Sequence, residues 1–568
     1  LPLLRGGKSD YTIVISQGAT ESEKYAAEEF QRFFAEASGQ KLEISSNPGK
    51  KENLIFIGNS PELSQVMPEL KLILLEAEES VVATKGSSLI LAGGPGRGTL
   101  YAVYSFLDEF MGCRWYSSDF HHVPKRKELF IPALKVKRNP TFAYREVYIH
   151  SAIDPDWAAR NRLNSALTPL QEKHGGQVRF GVFVHSFFTF VPPTKFFAEH
   201  PEWYSEIEGK RTADNAQLCL TNREMIKALT SAVRDKLLEN KDVDIISVSQ
   251  NDNSNFCQCA ECQSAMEDEG SLSGVLVNVV NTVAKELEKE FPSVMFETLA
   301  YQKTRKAPIG ARPRGNVIIR YCTIEACPVH PLETDDFNAG VMRDLKDWTN
   351  ITPNVYLWHY VTNFSHYFMP HPNWRSLPQD IKTFSRLKVK GVFLQGAFNA
   401  PHADFPEMRS WIAARLLLNP ELKSEDLQKE FIQAYYGNAA GPLRRYLDLL
   451  MDGALQDEKS HLTCYSQPKD YAFMTPEWTA RATKYMEEAR KSVSGNKAQL
   501  ERVNRAALSV EYAMAMRSFE WRQAKNPVSV DPIGLTKAFL TKAKASGALR
   551  LNEAESMEMS EARMLGGR

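Results

Sequence analysis

With 568 residues the chain exceeds what one hydrophobic core organises, since cores stop growing at about 250–300 residues, so several domains are expected. The composition, 43% hydrophobic with 10% aromatic and 24% charged residues, is that of a folded protein and excludes a dominantly disordered one. Lys plus Arg and Asp plus Glu balance at 69 each, which leaves no long-range field to recruit nucleic acid or an anionic membrane.

A small neutral ligand suits this balance. No apolar stretch approaches the roughly 20 residues a membrane-spanning helix needs. The start, Leu1-Pro2-Leu3, carries no basic segment followed by an apolar run, as in a cytoplasmic chain or a mature form already trimmed.

In chain order, residues 11–16 read as a strand, and residues 22–37 place Tyr25, Ala26, Phe30 and Phe33 at helical spacing. Strands follow at 53–58 and 88–92, and a helix at 98–111 opens after the loop Gly93-Gly94-Pro95-Gly96-Arg97-Gly98. That loop lacks the Gly-Lys-Ser/Thr of a phosphate loop and the last spacing of a dinucleotide fingerprint, so it reads as a turn and helix start. These elements predict a small α/β domain over residues 1–135.

From residue 140 short apolar runs alternate with helical or irregular stretches. The runs span 142–149, 161–167, 178–190, 244–252, 294–301, 316–322, 354–360 and 391–396. Eight such units over residues 136–405 predict a central (β/α)8 TIM barrel. Beyond it, helical spacing at 407–418, 424–436, 442–453, 476–493, 497–523 and 534–546 predicts a C-terminal helical region over 406–568.

A parallel barrel places its chemistry where strands end. The run ending in Ser249-Gln250-Asn251-Asp252-Asn253 crowns one such strand with polar groups. Glu297 lies inside an apolar run, where an unpaired ionised carboxylate is costly, so it either faces the lumen with a raised pKa or pairs with Arg145 or Arg320. Glu325 and His330 follow the 316–322 run, and Trp358, His359, Tyr360 and Asn363 follow the next. His185 and Gln395 stand at the ends of two more. With no Gly-x-Ser-x-Gly elbow and no His-Glu-x-x-His pair, what remains is carboxylates, amides and aromatic rings, the equipment of glycoside hydrolysis.

Of the eight cysteines, Cys257, Cys259 and Cys262 cluster. A local disulfide with free thiols is the plainer reading. Structural zinc is the alternative if a fourth ligand, Cys219 or a histidine, lies near. No catalytic metal and no cofactor are expected.

The motifs Gln250-Asn251-Asp252-Asn253 with Cys257-x-Cys259-x-x-Cys262, Thr298-Leu299-Ala300-Tyr301, Trp358-x-Tyr360 and Pro370-His371-Pro372-Asn373 resemble those of glycoside hydrolase family 163. Residues 97–107 and 112–116 resemble the α/β domain that precedes the barrel in hexosaminidases and α-glucuronidases. The resemblance implies an endo-β-N-acetylglucosaminidase cutting the GlcNAc-β1,4-GlcNAc core of complex N-glycans in gut bacteria, exported to the periplasm or cell surface. It also implies a retaining route in which the substrate's own 2-acetamido group is the nucleophile. In that scheme Asp252 with Asn251 holds the acetamide, Glu297 is the acid with Glu325 in reserve, and Tyr301 and Tyr360 bond the intermediate. Gln250, Asn253, His185, His330, Trp358, His359, Tyr360, Asn363 and Gln395 would line the sugar site.

Related substrate-assisted enzymes often carry two neighbouring acids, whereas asparagines flank Asp252 here, which leaves open that Asp252 is the acid and Asn251 the polarising group. An exo-acting hexosaminidase, an α-glucuronidase-like hydrolase and a non-catalytic glycan-binding protein are the competing readings. The expected partner is an N-glycan or glycoprotein, bound by a monomer, with no nucleic acid.

Overall fold

The computed structural model describes residues 1–456, 460–525 and 528–566. Its N-terminal part is a six-stranded sheet in the order Lys135–Arg138, Ser80–Lys85, Ser88–Gly93, Leu54–Ile57, Thr12–Val14, Glu43–Ser45. Helix Glu21–Ser38 buries Ala26, Phe30, Phe33 and Phe34. It starts where Thr20 and Glu23 satisfy each other's backbone N–H groups and stops at Gly39 in the left-handed conformation.

The glycine loop is a structural turn. A Cβ on Gly93 would lie 2.2 Å from the Gly98 carbonyl carbon, so the chain can double back there only without a side chain. Helix Gly98–Glu109 follows. Arg97 donates to Glu78 at 2.6 Å, and Glu78 also pairs with the fully buried Arg145 at 2.7 Å, which ties this sheet to the next one.

The second sheet departs from the expected closed barrel. It is a half-barrel of six parallel strands in the order Tyr144–Tyr148, Gly391–Gln395, Val355–Tyr360, Val317–Cys322, Met295–Ala300, Ile245–Ser247. The runs at 161–167 and 178–190 do not become strands. The first contains Arg162 with φ 58°, outside the β region, and is held by side chains instead: Asn164 Oδ1 accepts from Arg145 N at 2.8 Å, and Glu146 Oε2 from the N–H groups of Ala166 and Leu167. The second makes one bridge, Phe180 to Ile245, before His185 at φ 54° turns it into the short helix Phe187–Phe190. In the first run polar side chains thus take backbone groups that a further strand would have paired, while the second makes backbone bonds to 244–249, such as Gly181 N to Ile245 O at 2.9 Å, without becoming a regular strand.

Strand alternation separates two environments. Val147, Phe296, Ile319, Leu357 and Leu394 point outward into the main core beneath helices that include Leu272–Leu287, Ala339–Ile351 and Pro406–Leu418. Inward, Tyr144, Tyr148, Tyr356, Trp358 and Phe393 form a separate aromatic cluster with Phe180 and Phe183.

C-terminal to the half-barrel, the expected helices appear at Pro406–Leu418, Ser424–Tyr436, Ala440–Leu455, Pro476–Ser492, Lys497–Gln523 and Pro532–Ala545, followed by Met557–Gly566. Two connecting segments fold back over the strand ends. Phe364 N donates to Cys464 O at 2.7 Å, Tyr367 N to Leu551 O at 2.8 Å and Glu553 N to Phe364 O at 2.9 Å. Among the described residues no helix is long and apolar enough to cross a membrane.

Candidate active site

At the C-terminal ends of the strands, Tyr301 leaves the Met295–Ala300 strand with its hydroxyl donating to Asp252 Oδ1 at 3.2 Å. Gln302 Nε2 donates to the same hydroxyl at 2.9 Å, and the His185 ring stands edge-on to Tyr301 with centroids 6.1 Å apart. Burial, then the charge of Asp252, pushes the Tyr301 phenol up, so it stays a proton-bearing donor. Asp252 itself is exposed at the rim.

The loop carrying Asp252 is clasped by Gln217, which the sequence reading missed. Gln217 Oε1 accepts from Asn251 N at 2.9 Å, while its Nε2 donates to Asn251 O and Asn253 O, both at 2.9 Å. Both amide ends of the Asn251 side chain are engaged, Nδ2 to Ala216 O at 2.9 Å and Oδ1 from Phe188 N at 3.2 Å. Asn253 Nδ2 reaches Ala216 O, and Gln250 is buried, donating to Leu299 O and Thr304 Oγ1. The two asparagines and two glutamines shape the loop, leaving Asp252 as its outward functional group.

A second carboxyl feels the charge of Asp252. Glu553, in the segment before the last helix, accepts from Gln395 Nε2 at 3.2 Å, and Gln395 Oε1 accepts from Trp358 Nε1 at 2.8 Å. Burial, then the negative charge of Asp252, raises the Glu553 pKa above the usual carboxylate range. Asp252 is exposed and bonded by a phenol, whereas Glu553 is half-buried and biased toward its protonated form. Tyr148 stacks on Phe398 with centroids 4.5 Å apart, and Tyr465 is 47% exposed, its phenol pushed up by burial and by nearby negative charge that includes Glu553 and Asp252. Arg550 donates to Glu553 O at 3.2 Å and brings a cation to the same place.

Glu297 is not brought to Asp252. It is fully buried in the half-barrel, where Arg320 bonds its Oε2 through two nitrogens at 2.6 and 2.9 Å. The Arg320 guanidinium lies 5.2–5.8 Å from the ring centroids of Tyr144, Phe180, Phe183, Trp358 and Phe393. Four residues along a strand span about 13 Å, so Glu297 sits well below Tyr301. Burial pushes its pKa up against the pull of Arg320. This pair realises the structural alternative of the sequence reading.

Other expected residues disperse. Glu325 pairs with Arg305 at 3.2 Å. His330 lies beside Cys327, with Nδ1 3.5 Å from the thiol. His359 points outward to Thr323 at 2.8 Å, its pKa pushed down by burial to about 4. Asn363 is buried and bonds Ser466 O and the Tyr471 hydroxyl, anchoring the overlying segment. Tyr360 is buried beneath the mouth, stacked on Trp358 at 6.2 Å. His185, Asp252, Tyr301, Trp358 and Gln395 thus converge. Glu553, Gln217, Tyr465 and Arg550 are additions that no strand-end pattern marks.

Residues 115–448 match the family model described as a domain of unknown function, DUF4838. The chain belongs to the DUF4838 family. In this DUF4838 protein the match includes Asp252 and Tyr301 but stops short of Tyr465 and Glu553. No curated protein matches the sequence. Among solved structures it is similar to BtGH115A, a family GH115 4-O-methyl-α-glucuronidase with specificity for decorated arabinogalactans. The TM-score is 0.61 at 11% identity, over 97% of this chain and 78% of that one. CpGH84B aligns at TM-score 0.49 and 11% identity over 98% of this chain and 96% of that one. A GH138 enzyme targeting pectin rhamnogalacturonan II aligns at 0.47 and 10% over 98% of each chain. At such identity the likeness to BtGH115A is one of fold.

Proposed function

We propose that this DUF4838 chain is a glycoside hydrolase in which Glu553 is the proton donor and Asp252 its partner carboxylate. The observation that carries the reading is an exposed carboxylate, Asp252, bonded by the Tyr301 hydroxyl, together with a half-buried carboxyl, Glu553, whose pKa is raised by burial and by the Asp252 charge and which Gln395 links to the Trp358 ring. The fold likeness to a GH115 enzyme agrees with it.

The finer reading is an endo-β-N-acetylglucosaminidase working by substrate assistance on the GlcNAc-β1,4-GlcNAc core of N-glycans. An acetamide would redirect the long Tyr301–Asp252 bond: its N–H to Asp252, its carbonyl oxygen to the Tyr301 hydroxyl. The acetamide oxygen then attacks C1 as the bond to the leaving oxygen breaks and Glu553 transfers its proton to that oxygen. Water, deprotonated by the Glu553 carboxylate, opens the cyclic intermediate and restores the β-configuration. An exported location, in the periplasm or at the cell surface, follows from that substrate.

A second reading, an exo-acting α-glucuronidase-like enzyme, is favoured by the fold likeness and by Arg550, a cation that a uronate carboxylate could meet. Mass spectrometry of products from a complex-type glycoprotein and from a glucuronate-capped oligosaccharide separates the two. An intact glycan released with one GlcNAc left on the protein supports the first, and free uronic acid the second. Neither product, with both substrates bound, would leave a glycan-binding protein.

A further inference from the structure

Apart from the glycan site, we propose that Cys219, Cys257, Cys259 and Cys262 hold a structural zinc ion. All eight cysteines are free and buried, so the local disulfide expected from the sequence does not form. Instead Cys219, from a distant part of the chain, joins the other three, and the four sulfurs lie within 4.8 Å of one another. Cys219 Sγ is 3.7 Å from Cys259 Sγ and 3.8 Å from Cys262 Sγ. A tetrahedron of thiolates with zinc–sulfur bonds of about 2.3 Å has edges of about 3.8 Å. The observed spacings are too long for a disulfide and match that edge.

Hydrogen-bond donors surround the sulfurs. Glu206 N donates to Cys257 Sγ at 3.3 Å and Arg211 to the same sulfur at 3.4 Å, while the Thr221 hydroxyl lies 3.2 Å from Cys262 Sγ. Such donors orient thiolate ligands, and the guanidinium offsets the negative charge left when four thiolates bind a dication. Cys259 caps helix Ala260–Glu269 and Cys262 sits in its first turn, so one short segment supplies three ligands in a fixed fan. Four thiolates leave no open position, which suits a structural zinc ion, and iron in the same tetrahedron is the outcome the test must separate.

The ion would staple the loop that presents Asp252. Cys257 follows that loop, and Ser205, near the same cluster, donates to Asn255 O at 3.0 Å. The role is one of positioning, because no cysteine touches Asp252.

The test is elemental analysis of the full chain purified without added metal, with cobalt reconstitution as a second readout. About one equivalent of zinc is expected, released by a mercurial reagent, and the cobalt form should show thiolate-to-metal charge transfer with tetrahedral ligand-field bands. Cys259→Ser and Cys262→Ser should each lower bound zinc about tenfold or more, whereas Cys113→Ser, remote from the cluster, should not. Should the cluster variants fail to fold, zinc content and mercurial release in the native chain still decide. Negligible zinc, iron in its place, or disulfides among the four cysteines on peptide mapping would each overturn the proposal.

Discussion

The Tyr301 hydroxyl donates to Asp252 Oδ1 across 3.2 Å, joining the end of one parallel strand to the loop beyond its neighbour. A hydrogen bond to a charged group contributes about 1.5–3 kcal/mol. Tyr301→Phe should therefore lower kcat/KM on the cleaved glycan by about 10- to 150-fold, chiefly through kcat, with little change in melting temperature. Steady-state kinetics beside a thermal melt measure both.

Glu553→Gln removes the proposed proton donor but keeps an amide for Gln395 to meet. Turnover should fall by about 10²- to 10⁴-fold while glycan binding, measured by calorimetry, persists. An aryl glycoside whose leaving group needs no protonation should recover much of the rate. Unchanged turnover on the native substrate would remove Glu553 from the mechanism.

The raised pKa of Glu553 gives the pH dependence a sign. A general acid works while protonated, so activity should hold above the ordinary carboxylate range and fall as pH rises through the raised value. Because the charge of Asp252 supports that elevation, Asp252→Asn should move the basic limb of the residual activity to lower pH. For stability the same group favours the folded state below its unfolded pKa, and this contribution is lost as pH rises through the folded one. Profiles of kcat/KM against pH for the native chain and the variant test the shift.

Breaking the buried Glu297–Arg320 pair strands a charge among five rings. Glu297→Ala should cost about 3–5 kcal/mol of stability, and Glu297→Leu combined with Arg320→Met much less. Denaturant titration followed by tryptophan fluorescence distinguishes this structural role from the catalytic one that the family resemblance implied. A stable but inactive Glu297→Ala would restore the latter.

Much of the fold was legible because local periodicity and burial agree. Phe30 and Phe33 marked the first helix, and the C-terminal helices fall within a few residues of their expected bounds. The closed barrel was not, since the run at 161–167 resembles a strand until one knows that Asn164 and Glu146 occupy the backbone groups a strand would need, and the run at 178–190 until the turn at His185 breaks its pairing with 244–249. For the site, Asp252 and Tyr301 were visible as polar residues where strand patterns end. Glu553 lies between two helices with nothing in its spacing to single it out, and only long-range docking on Phe364 brings it to Gln395. Glu297 showed the converse: a lone acid in an apolar run advertises burial, and burial alone does not distinguish a proton donor from an ion pair.

That docking gives the molecule separate thresholds for folding and for working. The segment from Leu551 to Glu553 rests on the 364–367 turn through two backbone hydrogen bonds, whereas the strands beneath are locked in a continuous ladder. Local opening of this strap costs less than melting the sheet, so modest heat, denaturant or proteolytic nicking should abolish the proposed activity while the spectroscopic signature stays native.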